Sequence, residues 1–292
     1  MATHRARPKL LVIVGPTASG KSELAMKIAQ RYEGEIIAAD SRTIHKGLDI
    51  GTAKPSLKDR KWVVHHCIDL VDPGTAFTVA DYKKCAELAI NDVQVRGKLP
   101  ILVGGTGLYI DSVLFDFKFR PTANKKTRDE LEALDVPGLQ LIIQQKGYNL
   151  PENRLNRRHL IRVIESKGGK GTKSKEPIEH TLIVGLLPDD EVLRTRISRR
   201  AEQMFNNGVI AETQQLLVNY PGISLENLGI IYKICRQLIQ GEITKEEAIS
   251  QFKTADWQYA KRQKTWFKRN HHIRWFEDIL SAEKYIEKVL NT

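Results

Sequence analysis

Residues 10–22 read LLVIVGPTASGKS. Five apolar residues, Leu10 to Val14, run into an octet of the form GxxxxGKS from Gly15 to Ser22. A helical pattern follows it in Leu24, Ala25, Ile28 and Ala29. A buried strand feeding a glycine-rich turn and then a helix is the layout of a phosphate-binding loop. Gly15, Thr17, Ala18, Ser19 and Gly20 form a turn whose backbone N–H groups can wrap a polyphosphate. Lys21 reaches the outer phosphates, and Ser22 offers a hydroxyl to a magnesium ion. The octet fixes only four residues, so its flanks carry more weight than the match. It specifies a phosphate or diphosphate; it is a nucleotide-binding label, yet it names neither ATP nor a reaction.

Working outward, residues 9–119 alternate between strand-like and helix-like stretches. Strands are expected at 9–14, 35–39 and 99–103, and helices at 21–32 and 79–95. Thr78, with Asp81 three residues later, predicts a capping box at the start of the second helix. Short buried strands spaced by helices predict an α/β fold: a P-loop NTPase-like, mostly parallel sheet flanked by helices. Ligands in such sheets bind beyond the C-terminal strand ends. The phosphate loop, Asp40-Ser41-Arg42 and Gly104-Gly105-Thr106-Gly107 should therefore share one cleft. The catalytic core is assigned to 1–119 and 181–292. Residues 120–180, rich in Lys, Arg, Asn and Gln, are assigned to a small helical insertion, with a helix over Arg154–Glu165 and a flexible loop at 167–177. A strand at 180–187 and helices at about 189–207, 209–219, 226–240 and 245–269 are expected to complete the core.

The chain has 292 residues and a formal net charge of +11, which attracts a polyanionic partner at long range. His4, Arg5, Arg7 and Lys9 run directly into the first strand, without a signal peptide. Cys67, Cys85 and Cys235 are far apart in sequence, which fits a reducing compartment without a disulfide framework. No apolar run is long enough to span a membrane, so a cytoplasmic, monomeric protein is expected.

Asp40 ends an apolar strand and could take a proton from a nucleophile or hold a metal. PILVGGTG ends in glycines and Thr106 where a P-loop ATPase would place a magnesium-binding aspartate, which weakens the ATPase reading. The two glycines let a ligand or a neighbouring backbone approach closely. His65-His66 and His271-His272 are not expected to form metal sites, because adjacent strand residues face opposite sides. Residues 257–272 interleave aromatics with Lys261, Arg262, Lys264, Lys268 and Arg269, and are a candidate surface for a nucleic-acid backbone.

Together GPTASGKS (15–22), DSRTIHKGLDIGTAKP (40–55), HHCIDLVDP (65–73), FTVADY (77–82), ILVGGTGLYI (101–110) and AKRQKTWF (260–267) resemble the tRNA dimethylallyltransferase family. The resemblance implies transfer of a dimethylallyl group from dimethylallyl diphosphate to N6 of adenosine 37, in tRNAs that read codons beginning with U. It implies that the loop holds the donor's diphosphate with Mg2+ on Ser22, that Asp40 is the general base, and that Thr106 sits at the reaction centre. Asp40, Ser41, Arg42, Thr43, Thr106, Arg128, Lys261 and Arg262 become tRNA contacts, and Lys233 a diphosphate contact. Some positions depart from the family pattern. Ile231-Tyr232-Lys233 stands for a Gly-Tyr-Arg/Lys element, Trp257 for an arginine, and Arg199, Arg200 and Ala201 lie in an altered Asn-x-Arg-Val stretch. A small-molecule or nucleoside kinase shares the loop and sheet but would want a lid with paired arginines. An adenylate isopentenyltransferase would not need the basic insertion. An RNA-binding protein with a dead loop would not need Lys21, Ser22, Asp40 and Thr106 intact.

Overall fold

The computed structural model describes residues 8–119, 125–169, 171–226 and 228–292. His4, Arg5 and Arg7, Lys170 and the expected boundary at residue 120 lie outside them. The strands are β1 (Leu10–Val14), β2 (Gly34–Ala39), β3 (His65–His66), β4 (Leu99–Gly104), β5 (Thr181–Leu186) and β6 (Arg274–Phe276). They form one sheet in the order β3-β2-β4-β1-β5-β6, and every pairing is parallel. Gly104 is level with both Val14 and Ala39, so β1, β2 and β4 end together. That register brings Gly15, Asp40 and Gly105 to one rim.

The helices are α1 (Lys21–Arg31), α2 (Leu57–Trp62), α3 (Val79–Val95), α4 (Gly107–Leu114), α5 (Lys125–Glu132), α6 (Val136–Gln145), α7 (Arg157–Glu165), α8 (Asp190–Asn206), α9 (Val209–Asn219), α10 (Ile230–Ile239), α11 (Lys245–Phe267) and α12 (Ile279–Leu290). The chain divides into a larger unit, Met1–Leu114 with Pro177–Thr292, and a smaller one, Phe115–Glu176. In the larger unit, α1 and α12 cover the sheet through Leu24, Ile28, Ala282, Ile286 and Leu290. A second apolar cluster joins α8 to α11, with Met204, Phe205, Ile231, Tyr232 and Phe252 at its centre. The smaller unit has its own core of Leu139, Ile143, Leu160, Ile161 and Ile164.

The capping box of α3 is present: Asp81 N–H donates to Thr78 Oγ1, and Thr78 N–H to the Asp81 carboxylate at 2.8 Å. Two helices start later than the sequence suggests. In α7 the Asn156 side chain accepts from the Arg158 and His159 N–H groups, so the helix begins after it rather than at Arg154. In α10 Gly229 takes φ 137°, which no helix allows, so the helix begins at Ile230. The sequence reading treated His65-His66 as strand without giving bounds for β3, and it passed over α2, α4, the short β6 and α12.

The three cysteines are free thiols, but two of them are neighbours in space. Sequence distance did not separate them, because the return from β3 sets Cys67 beside α3 and puts its Sγ 2.8 Å from that of Cys85. Among the described residues no helix is long and apolar enough to cross a membrane.

Candidate active site

The phosphate loop sits between β1 and α1 and opens onto a cavity of about 450 Å³. Thr17, Ala18, Gly20, Lys21 and Ser22 line it together with Asp40 and Thr43. Gly15 and Ser19 are buried and do not line it. Ala18 adopts φ 61°, a left-handed conformation that a non-glycine residue keeps only where its surroundings impose it. Ser19 Oγ is buried with no hydrogen-bond partner among the described residues, a polar atom left over inside the loop. The Lys21 ammonium donates to its own loop at Pro16 O, 3.1 Å. Burial lowers its pKa to about 8; the Asp40 carboxylate opposes that shift and Arg200 adds to it. A cation held so uneasily, an orphaned hydroxyl and a helix N-terminus together suit an anion.

Sequence reasoning missed the opposite wall. Arg196, Arg199 and Arg200 of α8 line the same cavity. Their spacing of three and four residues puts them on one helix face, a periodicity legible in the sequence. Arg196 donates to Ser19 O at 3.0 Å, which ties α8 to the loop. Arg200 pairs with the buried carboxylate of Asp256, and its Nε is buried without a partner among the described residues.

Gln263 is the second missed residue. It is buried on α11, accepts from Thr17 N–H at 2.8 Å and donates to Gly105 O at 2.9 Å. The glycines after β4 serve this docking. A Cβ on Gly105 would lie 2.2 Å from Gln263 Nε2, and one on Gly107 would lie 2.1 Å from the Trp266 ring. What approaches closely is therefore α11, and Trp266 Nε1–H completes the contact by donating to Asp111 at 2.8 Å.

A second cavity, of about 340 Å³, shares Thr17, Asp40, Thr52, Arg200 and Tyr259 with the first. Its remaining walls include Arg42, Arg262, Gln258 and the apolar Met204, Leu228, Ile231 and Phe252. Asp40 thus stands where a basic, loop-lined cavity meets a more apolar one. Its Oδ1 accepts from Arg42 N–H at 2.8 Å, a local turn that fixes the carboxylate on the rim. Thr43 Oγ1 donates to Asp40 O at 3.3 Å. Thr106 lines neither cavity. Its Oγ1 accepts from Ser41 N–H at 3.1 Å, and its own N–H donates to Ala39 O. It is also hydrogen-bonded to Tyr259, whose hydroxyl is pushed up to about 12 by burial and then by Asp40.

Other expected residues fall elsewhere. Lys233 is outside the lining of both cavities; it faces Glu226 at 3.7 Å on a separate depression of α10. Lys261 is exposed and lines neither cavity, whereas Arg262 lies over the Tyr259 ring at 5.7 Å. Arg128 belongs to the smaller unit, where it is paired with Glu132 and Glu165. Trp257 is buried against Leu193 and Ile197, with the Arg194 guanidinium 4.0 Å over its ring. His66 bonds Glu35 at 2.8 Å while His65 bonds Val63 O and lines the first cavity, so the two rings do part. His271 and His272 do not: they occupy a turn rather than a strand, and their rings lie 4.1 Å apart.

The family model for IPP transferase matches residues 43–270. A tRNA dimethylallyltransferase of Streptococcus equi subsp. zooepidemicus is 36% identical over 288 residues, covering 97% of this chain and 96% of its own. A tRNA isopentenylpyrophosphate transferase of Bacillus halodurans, solved by crystallography, is 34% identical with a TM-score of 0.73, covering 98% of this chain and 97% of its own. A eukaryotic dimethylallyltransferase, solved acting on tRNA, is 28% identical with the same TM-score of 0.73, covering 88% of this chain and 69% of its own.

Proposed function

This chain belongs to the IPP transferase family, enzymes that include the tRNA dimethylallyltransferases, and from that premise we propose the reaction it carries out. It transfers a dimethylallyl group from dimethylallyl diphosphate to N6 of adenosine 37, in tRNAs that read codons beginning with U. The observation that carries this reading is the meeting of two unlike cavities at Asp40. One is lined by the phosphate loop and the α8 arginines and suits a diphosphate; the other admits a base.

The chemistry asks for that arrangement. An exocyclic adenine amine is a poor nucleophile, because its lone pair is delocalised into the ring. Transfer therefore depends on a leaving group whose growing charge is met in advance. Loop N–H groups, Lys21, Arg196 and Arg200 meet the charge on the departing diphosphate, and Arg199 adds to the field. A diphosphate beside Lys21 also favours its protonated form, offsetting the burial that lowers it. Asp40, within reach of both cavities, accepts the N6 proton as the new C–N bond forms. Thr106 holds the backbone that follows Asp40 through Ser41 and works as a positioning residue.

The donor set fits a magnesium ion on the phosphates: Ser22 lines the cavity beside Lys21, and Ser19 Oγ is free nearby. When bound, that ion would neutralise diphosphate charge, with Ser22 as its protein ligand. Adenosine 37 must leave the anticodon stack, at a cost of about a few kcal/mol. Phosphate contacts by Arg42, Arg262 and Lys261, and by Arg128 of the smaller unit, would offset that cost. Lys233, which lies outside the lining of both cavities, makes no contact with the diphosphate. The protein works as a cytoplasmic monomer.

The test is incubation with labelled dimethylallyl diphosphate and unmodified tRNA, AMP or ATP, followed by nucleoside analysis. Label is expected on tRNA adenosine alone. Label on AMP, or phosphoryl transfer from ATP, would overturn the reading.

A further inference from the structure

Two thiols that the proposed reaction does not use lie against each other. Cys67 follows β3, is buried, and holds φ 59°, a conformation a cysteine seldom takes. Cys85 lies on α3 and is partly exposed. Their sulfurs are 2.8 Å apart and both are free thiols. A covalent S–S bond is about 2.05 Å long, so less than an ångström of sulfur movement separates the contact from a bond. We propose that Cys67 and Cys85 form an oxidative modification site, at which a peroxide converts the dithiol reversibly to an intrachain disulfide.

The roles follow from position. Cys85 is the sulfur that solvent can reach, so it meets the oxidant first. The Cys67 S–H hydrogen-bonds to it and holds the Cys85 thiol below the usual range, with burial opposing; Cys67 itself is held far above that range. The Cys85 thiolate attacks one peroxide oxygen and the O–O bond breaks. Cys85 becomes a sulfenic acid, and the departing hydroxide takes up the proton that Cys85 released. Cys67 then attacks the Cys85 sulfur. The S–S bond forms, the S–O bond breaks, and hydroxide leaves with the Cys67 proton as a second water. The two sulfurs lose two electrons and one peroxide gains them.

The bond would fasten a segment that matters. Asp69 N–H donates to Thr43 O, Leu70 and Val71 N–H to Ile44 O, and Lys46 N–H to Val71 O. Residues 67–71 thus carry the stretch that directly follows Asp40 to Arg42, and the disulfide would tether them to α3.

The experiment exposes the full chain to hydrogen peroxide, alkylates it under denaturing conditions and maps the peptides by mass spectrometry. The expected product joins the Cys67 and Cys85 peptides with the loss of two hydrogens, and dithiothreitol reverses it. Buried Cys235 is expected to remain alkylatable and serves as the internal control. In Cys67→Ser the resolving thiol is gone, so Cys85 should stop at a sulfenic acid that dimedone traps. The wild-type map needs no variant and stands even if Cys67→Ser folds poorly. Three alkylatable thiols after peroxide would overturn the proposal. So would Cys85 sulfinic acid beside a free Cys67, or a disulfide between two chains.

Discussion

The arginines of α8 and those of the smaller unit carry the same charge and are engaged to different degrees. In the smaller unit Arg128 is bound by Glu132 at 2.6 Å and by Glu165 at 2.9 Å. Arg157 gives its guanidinium to the carbonyls of Glu132 and Leu134, and Arg162 faces Glu165 at 3.5 Å. These cations tie α7 to α5 and to the turn that follows α5. On α8, Arg200 is paired with Asp256 yet keeps a buried Nε without a partner among the described residues, Arg196 is bound to Ser19 O, and Arg199 makes neither a hydrogen bond nor an ion pair among them. A net charge of +11 counts both sets equally. The local partners decide how much of each cation is left to meet an anion.

The contrast can be broken at several points, and the largest effect is expected at the rim between the cavities. Asp40→Asn keeps the shape and the bond to Arg42 N–H but cannot accept a proton. Single-turnover prenylation should fall by about 10²–10⁴-fold with donor and tRNA affinity unchanged. Thr106→Ala should lose less, since the hydroxyl acts through Ser41. An inactive Thr106→Ala beside a normal Asp40→Asn would reassign proton removal.

Lys21→Ala should cost on the order of 10²-fold in turnover, typical of one deleted electrostatic contact. The same lysine sets a pH limit. With its pKa lowered to about 8, Lys21 loses its charge in the free enzyme as pH rises through that value. Donor kcat/KM should therefore decline above about pH 8, and Lys21→Arg should remove that decline even if its rate is lower. A profile flat to pH 10 in the wild type would place the Lys21 charge outside donor capture.

Gln263→Ala is a test of scaffold rather than charge. It strands the buried Thr17 N–H and Gly105 O, at about 1–3 kcal/mol for an unsatisfied group. Thermal unfolding should shift down, and donor KM should rise more than kcat falls. The smallest effect is expected at Arg128. Because Arg128 already has two carboxylate partners, Arg128→Gln should change the salt dependence of tRNA affinity less than Lys261→Gln with Arg262→Gln. A larger change at Arg128 would reverse the contrast between the two arginine sets.

Much of the fold was legible because its signals are local. The apolar run at 10–14, the capping box at Thr78 and the octet at Gly15 each need only a few neighbours in sequence. The rim of Gly15, Asp40 and Gly105 followed from strand ends in a parallel sheet. What stayed hidden depends on contacts across the chain. Gln263 joins Thr17 over 246 residues, and no spacing announces it. The glycines of GGTG suggested close approach by a ligand or a neighbouring backbone, yet their space is filled by the side chains of Gln263 and Trp266. Arg128 looked available until Glu165 supplied its partner from 37 residues away. The α8 arginines were visible as a helical stripe, but that stripe reads equally as a solvated face until α8 is docked on the loop.

The most direct measurement is calorimetric titration of the protein with magnesium and inorganic diphosphate, without tRNA. Wild-type and Arg128→Gln proteins are expected to bind with the same affinity. Lys21→Ala and Arg200→Met should each lose about tenfold or more, as for a charged contact removed from a desolvated site. Equal binding by all four proteins, or a loss confined to Arg128→Gln, would contradict a diphosphate site between the phosphate loop and α8.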